Sequence, residues 1–346
     1  MIKVTKLGVV LSKTELGFEN AGVLNPAIIA EGKIIHLFYR AVRKGNYSTI
    51  GYCKLDSAVN VVERFEVPVL FPQAHYESHG VEDPRVSKID GLYYMTYTAY
   101  DGVNALGAYA TTDTLPYFEK KGILTSQITY QDFRHLAESK AELNHKYLRY
   151  NGITVSHDNS DKKMLLWDKN IVFFPRRIMD KICFLHRIKP DIQLVSVNDL
   201  GELTHSFWED YFLHFDQYIA LEPKYPHEIS YVGSGCPPIE TPHGWLLIYH
   251  GVHDTTAGYK YTACAALLDL HNPAKEITRL SYPLFSPDLD YEINGEVNNV
   301  CFPTGTALIN DTLYIYYGAA DQCIACASLS LKELLIELVT NTKDNE

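Results

Sequence analysis

The sequence lacks several features that would assign it to a common functional class. No stretch approaches the roughly 20 apolar residues that a membrane-spanning helix needs. The segment from Met1 to Leu11 has no long apolar core followed by a small-residue cleavage site. No basic stretch offsets the formal net charge of −11, which argues against nucleic acid as a partner. We therefore expect a soluble, cytoplasmic protein that contacts neither membrane nor nucleic acid.

Cysteine and histidine are too scattered to build a metal centre. The seven cysteines are odd in number, and a lone Cys-x-x-Cys, Cys323 to Cys326, lies in an apolar run with no second pair to complete a zinc site. His36, His75 and His135 show no ligand-like spacing. We expect reduced, buried cysteines in a reducing compartment, with no metal and no cofactor.

The composition is globular and rich in tyrosine. Hydrophobic residues make up 46% and charged residues 21% of the 346 residues, an ordinary balance in a chain long enough to bury a large core. The 25 tyrosines suit β-strands and also suit the faces of sugars, so composition alone leaves both interpretations open.

One pattern recurs five times along the chain. Each copy has a proline, then a Gly or Asp turn, then an apolar-aromatic strand that ends in polar groups, which is typical of a β-hairpin. The copies begin at Asn25-Pro26, Asp83-Pro84, Pro175, Pro237-Pro238 and Pro303. The repeat predicts an all-β fold, a five-bladed β-propeller formed by a single domain over residues 1–346. A two-sheet sandwich with coincidental spacing is the alternative.

Two segments depart from the β pattern. Residues 130–150 have a helical period, with Phe133, Leu136, Ala137 and Leu143 near one face, and we interpret them as an excursion from the ring. Residues 331–338 predict a short C-terminal helix with Ser330 as its N-cap. The excursion could pack on a second copy of the chain and close the pocket, so we expect a homo-oligomer.

The sharpest local motif runs from Ser78 to Val86 and contains two carboxylates, a histidine and an arginine around Pro84. A semi-buried Asp83 could serve as a general acid. The alternative is a turn in which Asp83 caps backbone amides and Arg85 pairs with Glu82. If the five hairpins are equivalent, one end of a central channel collects a shared polar pocket from Asn25, Arg40, Asp83, Arg187 and His250.

The segment Gly80-Val81-Glu82-Asp83-Pro84-Arg85 resembles the signature of glycoside hydrolase family 130, the β-mannoside phosphorylases and mannosidases. Further segments resemble the same family, in order and across nearly the whole chain: 169–175, 185–187, 233–239, 244–252, 265–270 and 316–321. Members of the family are five-bladed propellers, so the resemblance implies the same fold that the repeat predicts.

The resemblance also implies a mechanism. Asp83 is expected to protonate the glycosidic oxygen through a sugar hydroxyl, while inorganic phosphate, the co-substrate, attacks the anomeric carbon from the opposite face. Lys169 matches a position that resembles a phosphate ligand, and His186, Arg187, His250 and Arg149 are further candidates for that role. The residues expected to bind sugar are Asn25, Arg40, His79, Glu82, Arg85, Tyr100, Asp101, His250 and Asp321.

One departure from the family counts against phosphate. Leu106 stands where relatives often have an arginine, so phosphate binding is either weakened or moved to a neighbour. A hydrolase would need a base for water, and Glu222 and Glu228 are available. Glu82 should point away from Asp83 if the backbone between them is extended.

These observations predict an inverting phosphorylase of β-mannosides, with β-1,2-linked mannose favoured. A mannosidase that uses water at the same site is the alternative. A third hypothesis is a propeller that binds sugar without turning it over.

Overall fold

The computed structural model describes residues 1–151, 163–256 and 258–343. Antiparallel β-strands are the main secondary structure of these residues. The strands fall into five units of antiparallel neighbours. Units 3, 4 and 5 form separate sheets, whereas units 1 and 2 belong to one eight-stranded sheet. The prediction of a mostly β chain is therefore confirmed.

The first two units each contain four strands. The strands of unit 1 are β2 (Gly22–Glu31), β3 (Ile34–Arg43), β4 (Tyr47–Leu55) and β5 (Val61–Arg64). The strands of unit 2 are β6 (Gly80–Ile89), β7 (Leu92–Tyr100), β8 (Ala105–Thr112) and β9 (Glu119–Ile123). A single parallel pair, Ser48 with Gly80, joins the two units edge to edge.

The remaining units follow the same plan. The strands of unit 3 are β10 (Lys169–Phe173), β11 (Ile182–Arg187), β12 (Ile192–Val197) and β13 (Ile219–Leu221). The strands of unit 4 are β14 (Tyr231–Ser234), β15 (Ile239–Thr241), β16 (Gly244–Thr255), β17 (Gly258–Leu268) and β18 (Glu276–Arg279). The strands of unit 5 are β19 (Cys301–Ile309), β20 (Thr312–Ala319) and β21 (Cys323–Ser330), with the N-terminal β1 (Thr5–Leu11) paired to β21 as the outermost strand.

Each unit packs both of its faces against its two neighbours. In unit 1, Leu37 shares a hydrophobic core with Ile324 of unit 5, while the next residue, Phe38, shares another core with Met95 of unit 2. Similar cores join units 2 and 3, units 3 and 4, and units 4 and 5. Alternate residues of a strand point to opposite faces, so the second strands are buried on both sides and read as continuous apolar runs.

Five helices accompany the sheets in the described residues: α1 (Tyr130–Glu138), α2 (His145–Asn151), α3 (His205–Leu213), α4 (Asp290–Ile293) and α5 (Leu331–Lys343). The excursion predicted at 130–150 is confirmed as α1 and α2. The predicted C-terminal helix is also confirmed, since Ser330 Oγ accepts from the Glu333 amide at 3.1 Å, although α5 runs past Leu338.

The sequence pattern did not predict α3. The helix contains four aromatic residues, Phe207, Trp208, Tyr211 and Phe212. The intrinsic preference of aromatic residues is for strands over helices, so their sequence did not indicate a helix. The helix is fixed by packing, since Phe212 meets Phe133 of α1 edge to face at 5.3 Å.

The seven cysteines are all buried and free, as the sequence analysis expected. Among the described residues, no helix is long and apolar enough to span a membrane.

A fully buried glutamate recurs just before the first strand of four units. In all four units it pairs with a cation of the outermost strand, and in three of them it also accepts from a tyrosine of the second strand. In units 1, 4 and 5 the tyrosine hydroxyl donates to the carboxylate at 2.7 to 2.8 Å. The sets, which we call carboxylate clamps, are Glu19 with Tyr39 and Arg64, Glu77 with Tyr97 and Lys120, Glu228 with Tyr249 and Arg279, and Glu292 with Tyr317 and Lys6.

Unit 3 contains a variant of the clamp. Asp168 precedes β10 and is fully buried, and both of its oxygens lie 2.8 Å from His186 Nδ1. His186 occupies the place on β11 that tyrosine occupies in the other units, and its Nε2 meets the Tyr211 hydroxyl of α3 at 2.9 Å. The repeat is therefore carried by buried polar contacts as well as by strand pattern.

Replacing Glu228 with Gln tests whether a clamp stabilises the fold. Arg279 would lose the carboxylate that lies 2.8 Å from its Nη1 and would remain buried without its full countercharge. We expect the free energy of unfolding to fall by about 3 kcal/mol, because removing one partner of a buried pair leaves an uncompensated charge. Urea-induced unfolding measures this loss.

Glu240→Gln is the matched control for this variant. Glu240 pairs with Arg176 at 2.5 Å, but the two side chains are 45% and 43% exposed, so the expected loss is about 0–1 kcal/mol. Equal losses in the two variants would contradict a stabilising role for the clamp.

Candidate active site

The first strands of units 1, 2 and 3 each contain a β-bulge near their N-terminal ends. The bulges bring Asn25, Asp83 and Asn170 into the left-handed backbone region, with φ of +51°, +51° and +54°. Asn and Asp tolerate this region better than other non-glycine residues, and a bulge changes the direction of a side chain. Polar side chains from three units are thereby turned into one cavity.

A glycine makes room for one of them. A Cβ atom at Gly318 would lie 2.1 Å from Asn25 Oδ1, so any larger residue would displace Asn25. Gly318 follows Tyr317 of the unit 5 clamp, and the residue after the clamp in unit 1 is Arg40. The positions next to the clamps therefore face the cavity.

The cavity encloses about 210 Å³. Its polar wall is formed by Asn25, Arg40, Asp83, Lys169, Asn170, Arg187, Lys189 and Asp321. Its aromatic wall is formed by Tyr231, Tyr261 and Phe302. A concave site with a few convergent polar groups is the usual form of a small-molecule site.

Asp83 lies among cations in this cavity. Asn25 Nδ2 donates to Asp83 Oδ1 at 2.7 Å, and Arg40 Nη1 lies 3.5 Å from the same oxygen. Burial acts to raise the pKa of Asp83, but the charges of Arg40 and Arg85 outweigh it. The Asn25 hydrogen bond and the Lys169 charge lower the pKa further, so it lies below its ordinary value and the side chain is ionised near neutral pH.

Three cations form the unit 3 side of the cavity. Lys189 Nζ lies 4.0 Å from the Tyr231 ring centroid, and the Arg187 guanidinium lies 5.5 Å from the same ring. Burial and neighbouring positive charge lower the pKa of Lys189 well below its ordinary value, and burial lowers that of Lys169. A cluster of like charges in a buried wall favours an anionic ligand.

His250 supports this wall. Arg187 Nη1 donates to His250 Nε2 at 3.3 Å, and the imidazole packs on Phe302 with ring centroids 4.4 Å apart. Burial lowers the pKa of His250 well below its ordinary value, with Arg187 and Arg85 adding to the effect. The imidazole is therefore neutral and orients Arg187.

Several buried polar atoms around the cavity have no hydrogen-bond partner within the described part of the chain. They are Asn25 Oδ1, Asn170 Nδ2, Arg187 Nε and His250 Nδ1. Buried polar atoms are nearly always satisfied in folded proteins, so these groups fit a polar ligand that supplies the missing contacts.

The structure brings together most of the residues predicted from sequence. Asn25, Arg40, Asp83, Lys169, Arg187 and Asp321 line the cavity, and His250 contacts Arg187. Arg85 is buried behind Asp83, where its Nη1 donates to the Asp83 carbonyl at 2.8 Å and its Nε to the Gly235 carbonyl at 2.6 Å. Its pKa falls to about 10 because of burial.

His186 does not belong with the phosphate ligands. Both of its ring nitrogens are occupied, by Asp168 and Tyr211, and the ring is fully buried away from the cavity wall. The repeat explains the error, because His186 stands at the clamp position and Arg187, one residue later, faces the cavity.

Arg149 also lies outside the cavity. It is exposed on α2, and its Nη2 pairs with Asp254 at 3.0 Å. The prediction that it binds phosphate depended on a loose alignment across the helical excursion. Its neighbour Tyr150 does reach the site, because its ring meets the Tyr231 ring at 5.6 Å.

Six predicted sugar ligands do not line the cavity, namely Arg85, His250, Glu82, Asp101, Tyr100 and His79. Asp101 Oδ1 accepts from the amides of Val103 and Asn104 at 2.8 and 2.7 Å and so closes a turn. The Tyr100 hydroxyl donates to the Gly102 carbonyl at 2.9 Å. His79 is exposed beside that turn. Asp101, Tyr100 and His79 shape a loop at the end of β7.

Glu82 does not point away from Asp83 as the sequence analysis expected. Glu82 Oε1 accepts from Arg40 Nη2 at 2.7 Å, and Asp83 approaches the same guanidinium. The bulge at Asp83 breaks the strand alternation on which the expectation depended. Arg85 pairs with backbone carbonyls and not with Glu82, which removes the alternative of a simple ion-paired turn.

Sequence reasoning missed Lys189 and Asn170. Asn170 directly follows Lys169, and Lys189 stands two residues after Arg187, so both were adjacent to predicted ligands. Lys189 lines the cavity, whereas Leu106 is buried in β8 and does not line it. Neither candidate base lies in this cavity, since Glu228 forms a clamp and Glu222 lies elsewhere.

The sequence profile of glycoside hydrolase family 130, described as β-1,4-mannooligosaccharide phosphorylase, matches residues 10–340. The chain belongs to this family. A 1,2-β-oligomannan phosphorylase of Thermoanaerobacter sp. strain X514 is 33% identical to this chain over an alignment of 349 residues. The alignment covers 96% of this chain and 99% of that protein.

Two solved structures of family members are similar in fold. The β-1,2-mannobiose phosphorylase from Listeria innocua, in complex with β-1,2-mannobiose, superimposes with a TM-score of 0.73 at 22% identity, covering 98% of this chain and 100% of that chain. A second structure comes from work on family 130 hydrolases that target β-1,2-mannosidic linkages in Candida mannan. It superimposes with a TM-score of 0.74 at 23% identity, covering 96% of this chain and 94% of that chain.

Asp321 offers a test of the charge balance in the cavity. Burial raises its pKa to about 6, with Asp83 and Glu82 adding to the effect and Arg40 opposing it. A carboxyl whose folded pKa exceeds its unfolded value destabilises the fold as pH rises from the unfolded pKa through the folded one. Asp321→Asn should therefore gain stability relative to the native chain at pH 7.5, and lose most of that gain at pH 4, close to the unfolded pKa. Thermal unfolding at the two pH values measures the difference, and a pH-independent difference would contradict the raised pKa.

Proposed function

We propose that the protein is an inverting β-mannoside phosphorylase that transfers mannose from β-1,2-linked mannosides to phosphate, giving α-mannose 1-phosphate and a shortened acceptor. The observation that carries the proposal is the asymmetry of the cavity. One acid, Asp83, faces a wall of three cations, Lys169, Arg187 and Lys189. The family membership supports the same reaction, and the 1,2-β-oligomannan phosphorylase relative supports the reaction and the linkage.

The mechanism follows from charge. Phosphate is already a nucleophile, so the protein needs cations to hold it and one acid to protonate the leaving oxygen. Lys169, Arg187 and Lys189 bind phosphate below the sugar in this proposal, with Asn170 as a further donor. Asp83 delivers its proton through a sugar hydroxyl, and Asn25 and Arg40 hold the Asp83 carboxyl in place.

In this proposal, bound phosphate raises the low pKa of Asp83. Lys169, whose charge is one of those that lower the pKa of Asp83 in the free protein, belongs to the wall that phosphate would neutralise. An added negative charge close to a carboxylate raises its pKa. Asp83 therefore becomes a competent acid when phosphate is present, which ties protonation to the presence of the nucleophile.

Hydrolysis is the second candidate function, because a structurally similar family member comes from work on hydrolases. An inverting hydrolase places a carboxylate base across the sugar from the acid. The other carboxyl that lines the cavity is Asp321. The charges of Arg40, Asp83 and Glu82 act on it, so it lies near the proposed acid and not across the sugar from it. We therefore favour phosphate over water.

We also propose that the five units form a five-bladed β-propeller in a single catalytic domain. Each unit packs between two neighbours, including unit 5 against unit 1. The pairing of β1 with β21 joins the two ends of the chain in one sheet, as expected for a closed ring. The homo-oligomer stays a prediction, and light scattering measures it.

Incubation of the purified protein with β-1,2-mannobiose, with and without inorganic phosphate, tests the reaction. We expect α-mannose 1-phosphate to form only when phosphate is present, and Asp83→Asn to abolish turnover because the leaving oxygen loses its acid. Product separation by anion-exchange chromatography measures both results. Free mannose formed at equal rates in both incubations would contradict the phosphorylase and favour the hydrolase.

Lys169→Met tests the phosphate wall. The variant keeps the length of the side chain and removes the charge, so we expect the KM for phosphate to rise about tenfold or more, since a charge-assisted hydrogen bond contributes about 1.5–3 kcal/mol. The KM for mannobiose should change little. Lys33→Met, at an exposed turn between β2 and β3, is the matched control. A phosphate KM that is equal in both variants would remove Lys169 from the phosphate site.

A further inference from the structure

A second cavity of about 260 Å³ lies beside the first. The two cavities share Arg40 and Asp321 as wall residues. Each is small compared with the roughly 300–1,000 Å³ of usual ligand pockets. Arg40 and Asp321 can therefore contact a molecule in either cavity.

The second cavity has its own polar groups. Lys44 and Asn46 belong to the turn between β3 and β4, and Glu296 belongs to the segment between α4 and β19. Leu24 and Val42 form an apolar part of the wall. A wall that combines hydrogen-bonding groups with apolar surface suits a sugar, which presents hydroxyl groups at its edge and C–H groups on its face.

Of the two cavities, only the first is lined by the three cations of unit 3. The second cavity is formed by units 1 and 5 and contains none of Lys169, Arg187 and Lys189, all of which belong to unit 3. In an inverting displacement the nucleophile and the leaving group stand in line on opposite sides of the anomeric carbon. If phosphate binds at the unit 3 wall, the leaving sugar departs towards units 1 and 5.

We propose that the second cavity binds the leaving chain beyond its first sugar and so favours substrates longer than a disaccharide. This inference rests on the proposed phosphorolysis. The first leaving sugar lies between Arg40 and Asp321, and the next mannose contacts Lys44, Asn46 and Glu296. The turn at Gly45, with φ of +91°, brings Lys44 and Asn46 to the same rim. Chain-length preference is therefore a property of two surface segments and not of the residues around Asp83.

The substitutions Lys44→Ala and Glu296→Ala test this proposal. Both residues are exposed, so the variants should fold normally. The measurement is kcat/KM with β-1,2-mannobiose and with β-1,2-mannotriose, at saturating phosphate. We expect the ratio of triose to biose to fall about fivefold to tenfold in each variant, the size expected for one lost hydrogen bond. Lys33→Ala is the control, because Lys33 is exposed and lines neither cavity, and its ratio should match that of the native chain.

The outcomes separate the two proposals. An unchanged ratio, or equal losses with both substrates, would overturn the role of the second cavity while leaving the phosphorylase intact. A native protein that turns over neither substrate, with phosphate present, would overturn the proposed function and this inference with it. A lower ratio in both variants with normal mannobiose turnover in the control supports the proposal.

Discussion

The geometry of the site depends on one interaction that recurs around the molecule, the burial of a carboxylate against the second strand of each unit. The tyrosines of units 1, 4 and 5, and His186 in unit 3, are tied to that carboxylate. Since successive strand residues point to opposite faces, fixing one residue fixes the direction of the next. The residues that follow are Arg40, Arg187, His250 and Gly318, and these line or shape the cavity. A structural repeat thus sets the positions of functional groups that differ from unit to unit.

The cavity combines opposite charges that influence one another. Asp83 is kept ionised by nearby cations, while Asp321 is held closer to neutrality by burial. Two carboxyl groups in one small space thus have pKa values that are shifted in opposite directions, because Asp83 has more direct positive partners. Burial lowers the pKa of Lys189 in the unit 3 wall, and repulsion by Arg187 and Lys169 lowers it further. An anion would relieve that repulsion, which is the physical reason to expect phosphate there.

Local sequence patterns predicted much of this arrangement. The recurrence of proline, turn and aromatic strand located the hairpins, and the motif around Asp83 located a carboxylate that lines the cavity. Asp83 could be found because its neighbours in sequence carry the signal.

His186 was misassigned because its role follows from register within a unit, where it replaces a tyrosine, and local sequence does not reveal register. Lys189 and Asn170 were missed because their place in the cavity depends on the bulge in β10 and on the packing of unit 3 against unit 4. Helix α3 was missed because tertiary packing overrides the strand preference of its aromatic residues.

The central claim is that phosphate binding and the protonation of Asp83 are one event. Calorimetric titration of the protein with phosphate, in buffers of different ionisation enthalpy, measures the protons taken up per phosphate bound. The account predicts net proton uptake by the native chain near pH 7, beyond that of Asp83→Asn, in which phosphate binds at least as tightly because a nearby negative charge is gone. Phosphate binding with the same proton uptake in both proteins, or no binding by the native chain, would contradict the account.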